Sequence, residues 1–454
     1  MSNIFPPVFF RDIFKNTVKF YLLISCVYVV KVPMAYLNFY AEDGKYFFQE
    51  ANDLTFPMDL LKPLDYIILI SRIIGRLVTL FPIEILPLIN FILVCLAIAF
   101  LCAVTWSNLA DLISNTYLKL ISCCSIIFLP IINFELLASS SSLHFILLFP
   151  ATLILINLRN EKSINNSDIF VLALTFLSDP LSIMCLTILA KPENLKNWRL
   201  LHNRGKNIYA IIFICVALQG LCSLYTLSMG SRKLNASSLL KTGYLYLDRV
   251  VGSSLIPNWG FVNSNDFLFG ILTTKIFLRG GVTIIIVTSL VFLTLHVWRR
   301  MKTDNETIYR PIENVIIIIF VSASYWLFAG YFFNPEPRYA IFPGLCLITG
   351  ILVLVDCLTR EEYAKIEYSK KYLMSRIHKS GVFFVSVLFI TTWIFSSKPS
   401  PIRIVGPTWE SELISARNSC NNSKQEFAKL VTLPTLPTTA NWFVMLKCDK
   451  LKPA

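Results

Sequence analysis

Two adjacent carboxylates, Glu42 and Asp43, stand in the run Ala41-Glu42-Asp43-Gly44-Lys45-Tyr46-Phe47, directly after the first long apolar stretch of the chain. Charge at a membrane boundary is costly unless it is hydrated or put to use. One of the pair could act as a general base, taking the proton from a hydroxyl as its oxygen attacks. The plainer reading is a hydrated pair at a helix end. Gly44 would let the backbone turn sharply there. Far along the chain, Asn334-Pro335-Glu336-Pro337-Arg338-Tyr339 makes a tight turn between two apolar runs. Its prolines stiffen it and aim Arg338, whose planar guanidinium can grip a phosphate through paired charge-assisted hydrogen bonds. Glu336 and Arg338 could equally pair with one another. Arg72 and Arg76, four residues apart, share a helix face, where they could hold a lipid phosphate or anchor among headgroups. Asn133, Glu135 and His144 flank a short turn, LPIINFELLASSSSLHF, whose polar groups either line a substrate or satisfy each other. Lys31, inside the first apolar run, would snorkel outward or pair with an acid.

These groups need a scaffold, and composition indicates which. Of 454 residues, 55% are hydrophobic and only 15% charged, and the mean hydropathy is +0.62. A soluble domain carries roughly 25% charged residues because its surface is hydrated. This surface therefore faces lipid. The net charge is +13, from 41 Lys and Arg against 28 acids. The basic residues cluster in short loops between apolar runs, so they read as a membrane orientation signal and not as a nucleic-acid surface. Ten of the twelve cysteines lie in apolar runs with no metal-ligand spacing and behave as small hydrophobes. There is no HExxH, GxSxG or Walker lysine loop, nor a Gly-rich cradle for a nucleotide sugar.

The expected fold is an all-α polytopic membrane protein, a span taking about 20 residues. Spans are expected near 18–37, 82–105, 118–132, 143–158, 208–228, 272–298, 312–333, 339–358 and 381–396. Residues 1–396 form the membrane core and 397–454 a small polar tail, with longer loops at 38–81 and 229–271. Arg11 and Lys15, the Lys191–Lys206 basic loop, the Arg299–Arg310 loop and the Arg360–Lys379 loop, all cytoplasmic, would put the N-terminus inside and the C-terminus outside. The stretch KPLDYIILISRIIGRLVTLFP reads as an amphipathic helix lying in the interface. Tyr244, Tyr246, Trp259 and Phe261 suit a membrane boundary or the stacking of sugar rings. Residues 168–190, between two basic flanks, are broken at Ser178-Asp179-Pro180. Two half-helices entering and leaving on one side satisfy both flanks, provided protein or a cavity covers the break. One kinked span is the alternative and would invert everything downstream. Asp179 would cap the second half or touch a ligand. Cys420 and Cys448 sit in the polar tail, where an oxidising compartment would join them as a disulfide.

In chain order, the Glu42-Asp43-Gly44 acids, Tyr66 with Ser71-Arg72, Ser178-Asp179-Pro180-Leu181, Glu336-x-Arg338-Tyr339, and a tail bearing Trp409, Cys420 and Trp442 resemble the bacterial polytopic glycosyltransferases with lipid-phosphate donors, the GT-C class. The chain is most similar to the O-antigen serotype-converting glucosyltransferases of Gtr type, and the likeness covers most of it as architecture. The resemblance implies a multi-pass bacterial inner-membrane enzyme with about nine transmembrane helices, one re-entrant segment, a cytoplasmic N-terminus and a periplasmic C-terminus. It would move glucose or another hexose from undecaprenyl-phosphate-sugar to lipid-linked O-antigen polysaccharide, with a donor synthase and a flippase as functional partners and no nucleic acid. Glu42 and Asp43 match the family's first-loop acids, and Arg338 and Tyr339 its later loop. Asp43 is favoured as the base because related enzymes place an Asp near the first span. Arg338, Arg72 and Tyr339 would hold the donor phosphate, while Glu336, Glu135 and His144 would line the substrate. No cofactor is required, though a divalent cation bridging acid and phosphate is compatible with the chemistry. The short tail departs from the family and leaves acceptor recognition open. Competing readings are a transporter or flippase, which broken helices favour but the lack of an internal repeat does not, and a polymerase, which would feature arginine-rich outer loops. A structural subunit would leave the acid pair unexplained.

Overall fold

Apolar helices make up most of the structure, a computed structural model that describes residues 7–64, 66–129, 137–189, 203–228, 239–255, 306–333, 337–359, 407–421, 430–435 and 442–451, with single positions at 288, 292, 295, 387 and 389. Among these, six helices are long and apolar enough to cross a membrane: Asp12–Lys31, Ile83–Asn108, Ser140–Arg159, Asn207–Thr226, Pro311–Gly330 and Arg338–Cys357. They match six of the expected spans. Apart from those single positions, the expected spans 272–298 and 381–396 lie outside the described residues, as do Asn133, Glu135, Glu336, Trp259 and Phe261. The expected span at 118–132 is a helix of 13 residues, Thr116–Phe128, shorter than a crossing. The first helix ends at Lys31 and not near 37, because Pro33 has no N–H and disfavours helix at the residue before it.

Burial sorts these helices. The Ser140–Arg159 and Arg338–Cys357 windows are 89% buried, whereas Asp12–Lys31 and Asn207–Thr226 are 22% buried. The first two form the centre of the bundle. The outer two turn Phe14, Leu22, Val30, Phe213, Leu221 and Leu224 outward, an arrangement that lipid accommodates and water does not. Hydrogen bonding collects at the two ends of the bundle. At one end Asn157 Nδ2 donates to Asn108 Oδ1 at 2.8 Å, and Asn108 Nδ2 donates to Asp168 Oδ1 at 2.9 Å. At the same end Asp356 accepts from the Ser114 and Asn115 backbone N–H groups, each at 2.9 Å. These side chains satisfy groups that helix ends leave open.

The 168–190 segment is divided where the sequence suggests, into a helix, Asn166–Phe176, and a tighter helical run, Pro180–Leu189. Asp168 at its start bonds Asn108, and Arg159 Nη1 donates to Ile188 O at 2.8 Å near its finish. Both legs therefore end beside the same end of the bundle. The break lies at the other end, where Ile70 N donates to Ser178 Oγ at 3.1 Å and Leu69 N to Leu177 O at 3.3 Å. Asp179 Oδ1 accepts from Leu181 N at 2.8 Å, and its other oxygen accepts from Tyr325 Oη at 3.4 Å. It caps the second leg. Lys31 has its ammonium 5.4 Å from the Phe128 ring centroid.

The tail is built into the segment after the first helix. Trp409 is fully buried, bonding Leu37 O through its backbone N–H and Ile83 O through its indole N–H, both at 2.7 Å. The helix Trp409–Asn421 leads to an antiparallel hairpin of Leu430–Pro434 and Phe443–Lys447, and Cys420 is joined to Cys448 by a disulfide with Cα atoms 5.7 Å apart. Met445 N donates to Gln49 Oε1 at 3.1 Å.

Candidate functional site

Glu42 and Asp43 are neighbours with opposite surroundings. The chain enters their turn through Ala41 at φ 43, a left-handed conformation costly for alanine, and continues into the wide helical turn Asp43–Phe48. Successive side chains on a helical turn diverge by roughly 100°, so one acid points inward and the other out. Asp43 is buried. Its carboxylate accepts from Ser140 N at 3.1 Å, Ser141 N at 3.1 Å, Ser140 Oγ at 2.8 Å and Ser139 Oγ at 3.1 Å, with Asn90 Nδ2 at 3.4 Å. The Ser140 and Ser141 N–H groups open a central helix, where partial positive charge and unpaired donors suit an anion. Asp43 is therefore the carboxylate that anchors this helix to the first loop. Ala138, at φ 56, turns the chain into the serine run on the other side.

Glu42 lies at a cavity of about 340 Å³ whose lining includes Tyr46, Tyr66, His144, Arg338, Tyr339 and Trp442. Its Oε1 is 3.7 Å from Arg338 Nη1, and the two side chains are 25% and 41% exposed. Both central helices begin here. One contributes His144 and Phe145 in its first turn, and the other starts at Arg338. Tyr66 Oη and His144 Nε2 are 3.4 Å apart, and the Tyr339 ring packs edge-on against Phe145 with centroids 5.3 Å apart. The cavity thus combines an accessible carboxylate, an accessible guanidinium, three phenols, an imidazole and an indole.

Gly44 is needed for a reason other than a sharp turn. A Cβ there would sit 2.8 Å from Thr435 Cγ2 and 3.0 Å from Val444 Cγ2, so the tail hairpin rests directly on this glycine. Gly75 plays the matching part in the Leu69–Val78 helix, where a Cβ would meet Phe47 O at 2.5 Å. The two glycines let the acid-bearing turn fit between that helix and the tail.

Arg72 and Arg76 do not reach the cavity. The helix carrying them, Leu69–Val78, buries Arg72. Its Nη1 donates to Glu50 Oε2 at 2.8 Å and to Asp59 O at 2.9 Å, while the Phe47 ring centroid lies 5.8 Å from its Cζ. Burial lowers the Arg72 pKa from its ordinary value, and the Glu50 and Asp59 charges oppose that shift. Arg76 Nη1 donates to Ala51 O at 2.8 Å, and its Nε is 3.7 Å from Asp59. Both arginines fasten the 50–59 loop.

Of the expected site residues, the structure brings Glu42, Arg338, Tyr339 and His144 to one cavity and places Asp43 behind its wall. Tyr46, Tyr66 and Trp442 join them. Tyr66 and Trp442 stand in the motifs of the family resemblance, but Tyr46 gave no signal beyond its nearness to the acids. Among the described residues no group of three His, Cys, Asp or Glu is placed to hold a metal ion. The fold and site together define a polytopic membrane protein with a polar cavity at one end of its bundle. No protein-family model and no curated protein matches the chain.

Proposed function

We propose that the chain is a membrane glycosyltransferase of GT-C-like architecture, with about nine spans, that takes a hexose from a polyprenyl-phosphate donor and attaches it to a lipid-linked O-antigen saccharide at the periplasmic face of a bacterial inner membrane. The observation that carries this reading is the Glu42–Arg338 pair, both accessible, on a cavity where two central helices begin. Glu42 is the general base. It takes the proton of the acceptor hydroxyl, the oxygen forms a bond to the anomeric carbon, and the bond from that carbon to the phosphate oxygen breaks with its electron pair leaving on phosphate. Arg338 and the helix beginning there place positive charge where that phosphate gains negative charge. The acceptor hydroxyl competes with Arg338 for Glu42, so substrate entry loosens the resting pair. Tyr339, Tyr66 and His144 shape the wall. Asp43, favoured on the resemblance alone, is too fully engaged with the serine run to take a proton without losing those bonds.

The test is the O-antigen of a host that supplies the lipid-linked glucose, analysed by mass and linkage with and without this protein. The reading predicts a repeat heavier by one hexose. An unchanged repeat, with protein and donor both shown to be in the membrane, would remove it, and transport of a lipid-linked saccharide would become the reading to examine.

A further inference from the structure

Trp106 and Trp442 are the half-buried tryptophans among the described residues, and of the two Trp442 lies at the cavity. Trp326 and Trp409 are fully buried and spend their indole N–H groups on Thr242 O and Ile83 O. Trp442 is half-buried and its ring lines the cavity. Strand side chains alternate between faces, so Trp442 shares a face with Val444 and Leu446, both buried. It continues that face past the end of its core. There it meets Tyr46 edge-to-face, with ring centroids 5.9 Å apart at 85°. Lys45 Nζ lies 5.2 Å from the Trp442 centroid and 5.5 Å from that of Tyr46.

We propose that Trp442, Tyr46 and Lys45 form the platform on which the acceptor saccharide rests, and that the tail's structural role is to hold Trp442 in place. The inference deepens the transferase reading and rests on it for the identity of the acceptor. Tyr46 and Trp442 are both half-buried at the cavity, so aromatic surface beyond the Lys45 contact is left for the C–H faces of a sugar, while Lys45 donates hydrogen bonds to its hydroxyls. Glu42 precedes Tyr46 by about one helical turn and touches Arg338. A sugar seated on the platform therefore shares one cavity with Glu42 and the guanidinium.

The anchoring of the tail fits this purpose. Thr435 and Val444 pack on Gly44, Met445 bonds Gln49, and Thr435 N donates to Trp442 O at 3.0 Å. Lys450 Nζ donates to Asn52 Oδ1 at 2.8 Å, and the disulfide ties the hairpin's last strand to the Trp409–Asn421 helix. The contacts to Gly44, Gln49 and Asn52 fix the strand that follows Trp442 against the first loop, and the Thr435 bond and the disulfide brace the hairpin itself.

The experiment measures binding without transfer. Full-length protein in nanodiscs lacking any polyprenyl lipid is titrated with O-polysaccharide released from host lipopolysaccharide by mild acid, and binding is followed by saturation-transfer NMR. Wild type is expected to bind, Trp442→Phe to bind within about threefold of it, and Trp442→Ala to lose about tenfold or more. Tyr46→Ala, a truncation on the other side of the platform, is expected to weaken binding as well. Wild-type resistance of the Cys420–Cys448 disulfide to mild reductant, read by maleimide labelling of the released thiols, confirms that the tail is folded in each variant. Equal binding by wild type and both alanine variants overturns the proposal, as does no binding by wild type. If wild type binds and depends on Trp442 yet transfers no hexose, the platform stands and the transferase reading falls. If wild type transfers hexose and Trp442→Ala does so with unchanged acceptor KM, the transferase stands and the platform falls.

Discussion

Two arginine–carboxylate assemblies lie within the same end of this molecule, and they serve different purposes. Arg72 has 2% of its side chain exposed, with Glu50 at 2.8 Å and Asp59 beside it, and it holds the first loop onto the Leu69–Val78 helix. Arg338 is 41% exposed, faces Glu42 across a looser 3.7 Å, and fronts a cavity. Residue type does not distinguish the two. Solvent access does, because a desolvated pair is held by its partners whereas an exposed pair can exchange one partner for a ligand. Glu42 and Asp43 repeat the contrast one residue apart, with Asp43 fully engaged and Glu42 open to the cavity.

If the comparison holds, substitutions should divide by stability. Arg72→Ala leaves Asp59 facing a buried void and Glu50 with Lys62 alone, and is expected to cost about 3–5 kcal/mol, read from unfolding in SDS mixed micelles. A loss below about 1 kcal/mol would mean that Arg72 is not the loop's anchor. Asp43→Asn turns an amide N–H₂ toward groups that already donate, and a cost of about 2–3 kcal/mol is expected in the same assay. Gly44→Ala drives a methyl into Thr435 and Val444, with an expected loss of about 1–3 kcal/mol. It should also expose Cys420 and Cys448 to reductant sooner than in wild type. Arg338→Gln is expected to change stability by less than about 1 kcal/mol while lowering hexose transfer about a hundredfold. A large stability loss there would place Arg338 with Arg72 and erase the distinction.

What was legible in the sequence was local. Six spans follow from runs of apolar residues, and the divided segment follows from Ser178-Asp179-Pro180, because a missing N–H acts on its own turn. The acid pair and the Arg338 turn were visible as charges beside apolar runs. Their division of labour was not, since the serine backbone that occupies Asp43 comes almost a hundred residues later. Arg72 looked like a surface cation because its partners, Glu50 and Asp59, sit in a polar loop with no periodicity to mark them as buried. Gly44 read as a turn residue when its role is to admit the tail, and no local pattern reports a strand that arrives from the far end of the chain. Trp442 stood out in the tail, but its place against the first loop was hidden in the same way, since its partner Tyr46 lies almost four hundred residues earlier.

The most direct test of the account is the transfer rate of Glu42→Gln in membrane vesicles, using radiolabelled polyprenyl-phosphate glucose, lipid-linked O-antigen acceptor and matched amounts of folded protein. The account predicts a fall of about 10²–10⁴-fold with unfolding in SDS unchanged from wild type. Transfer within a few-fold of wild type would contradict it, and the base would then have to be sought elsewhere on the cavity wall.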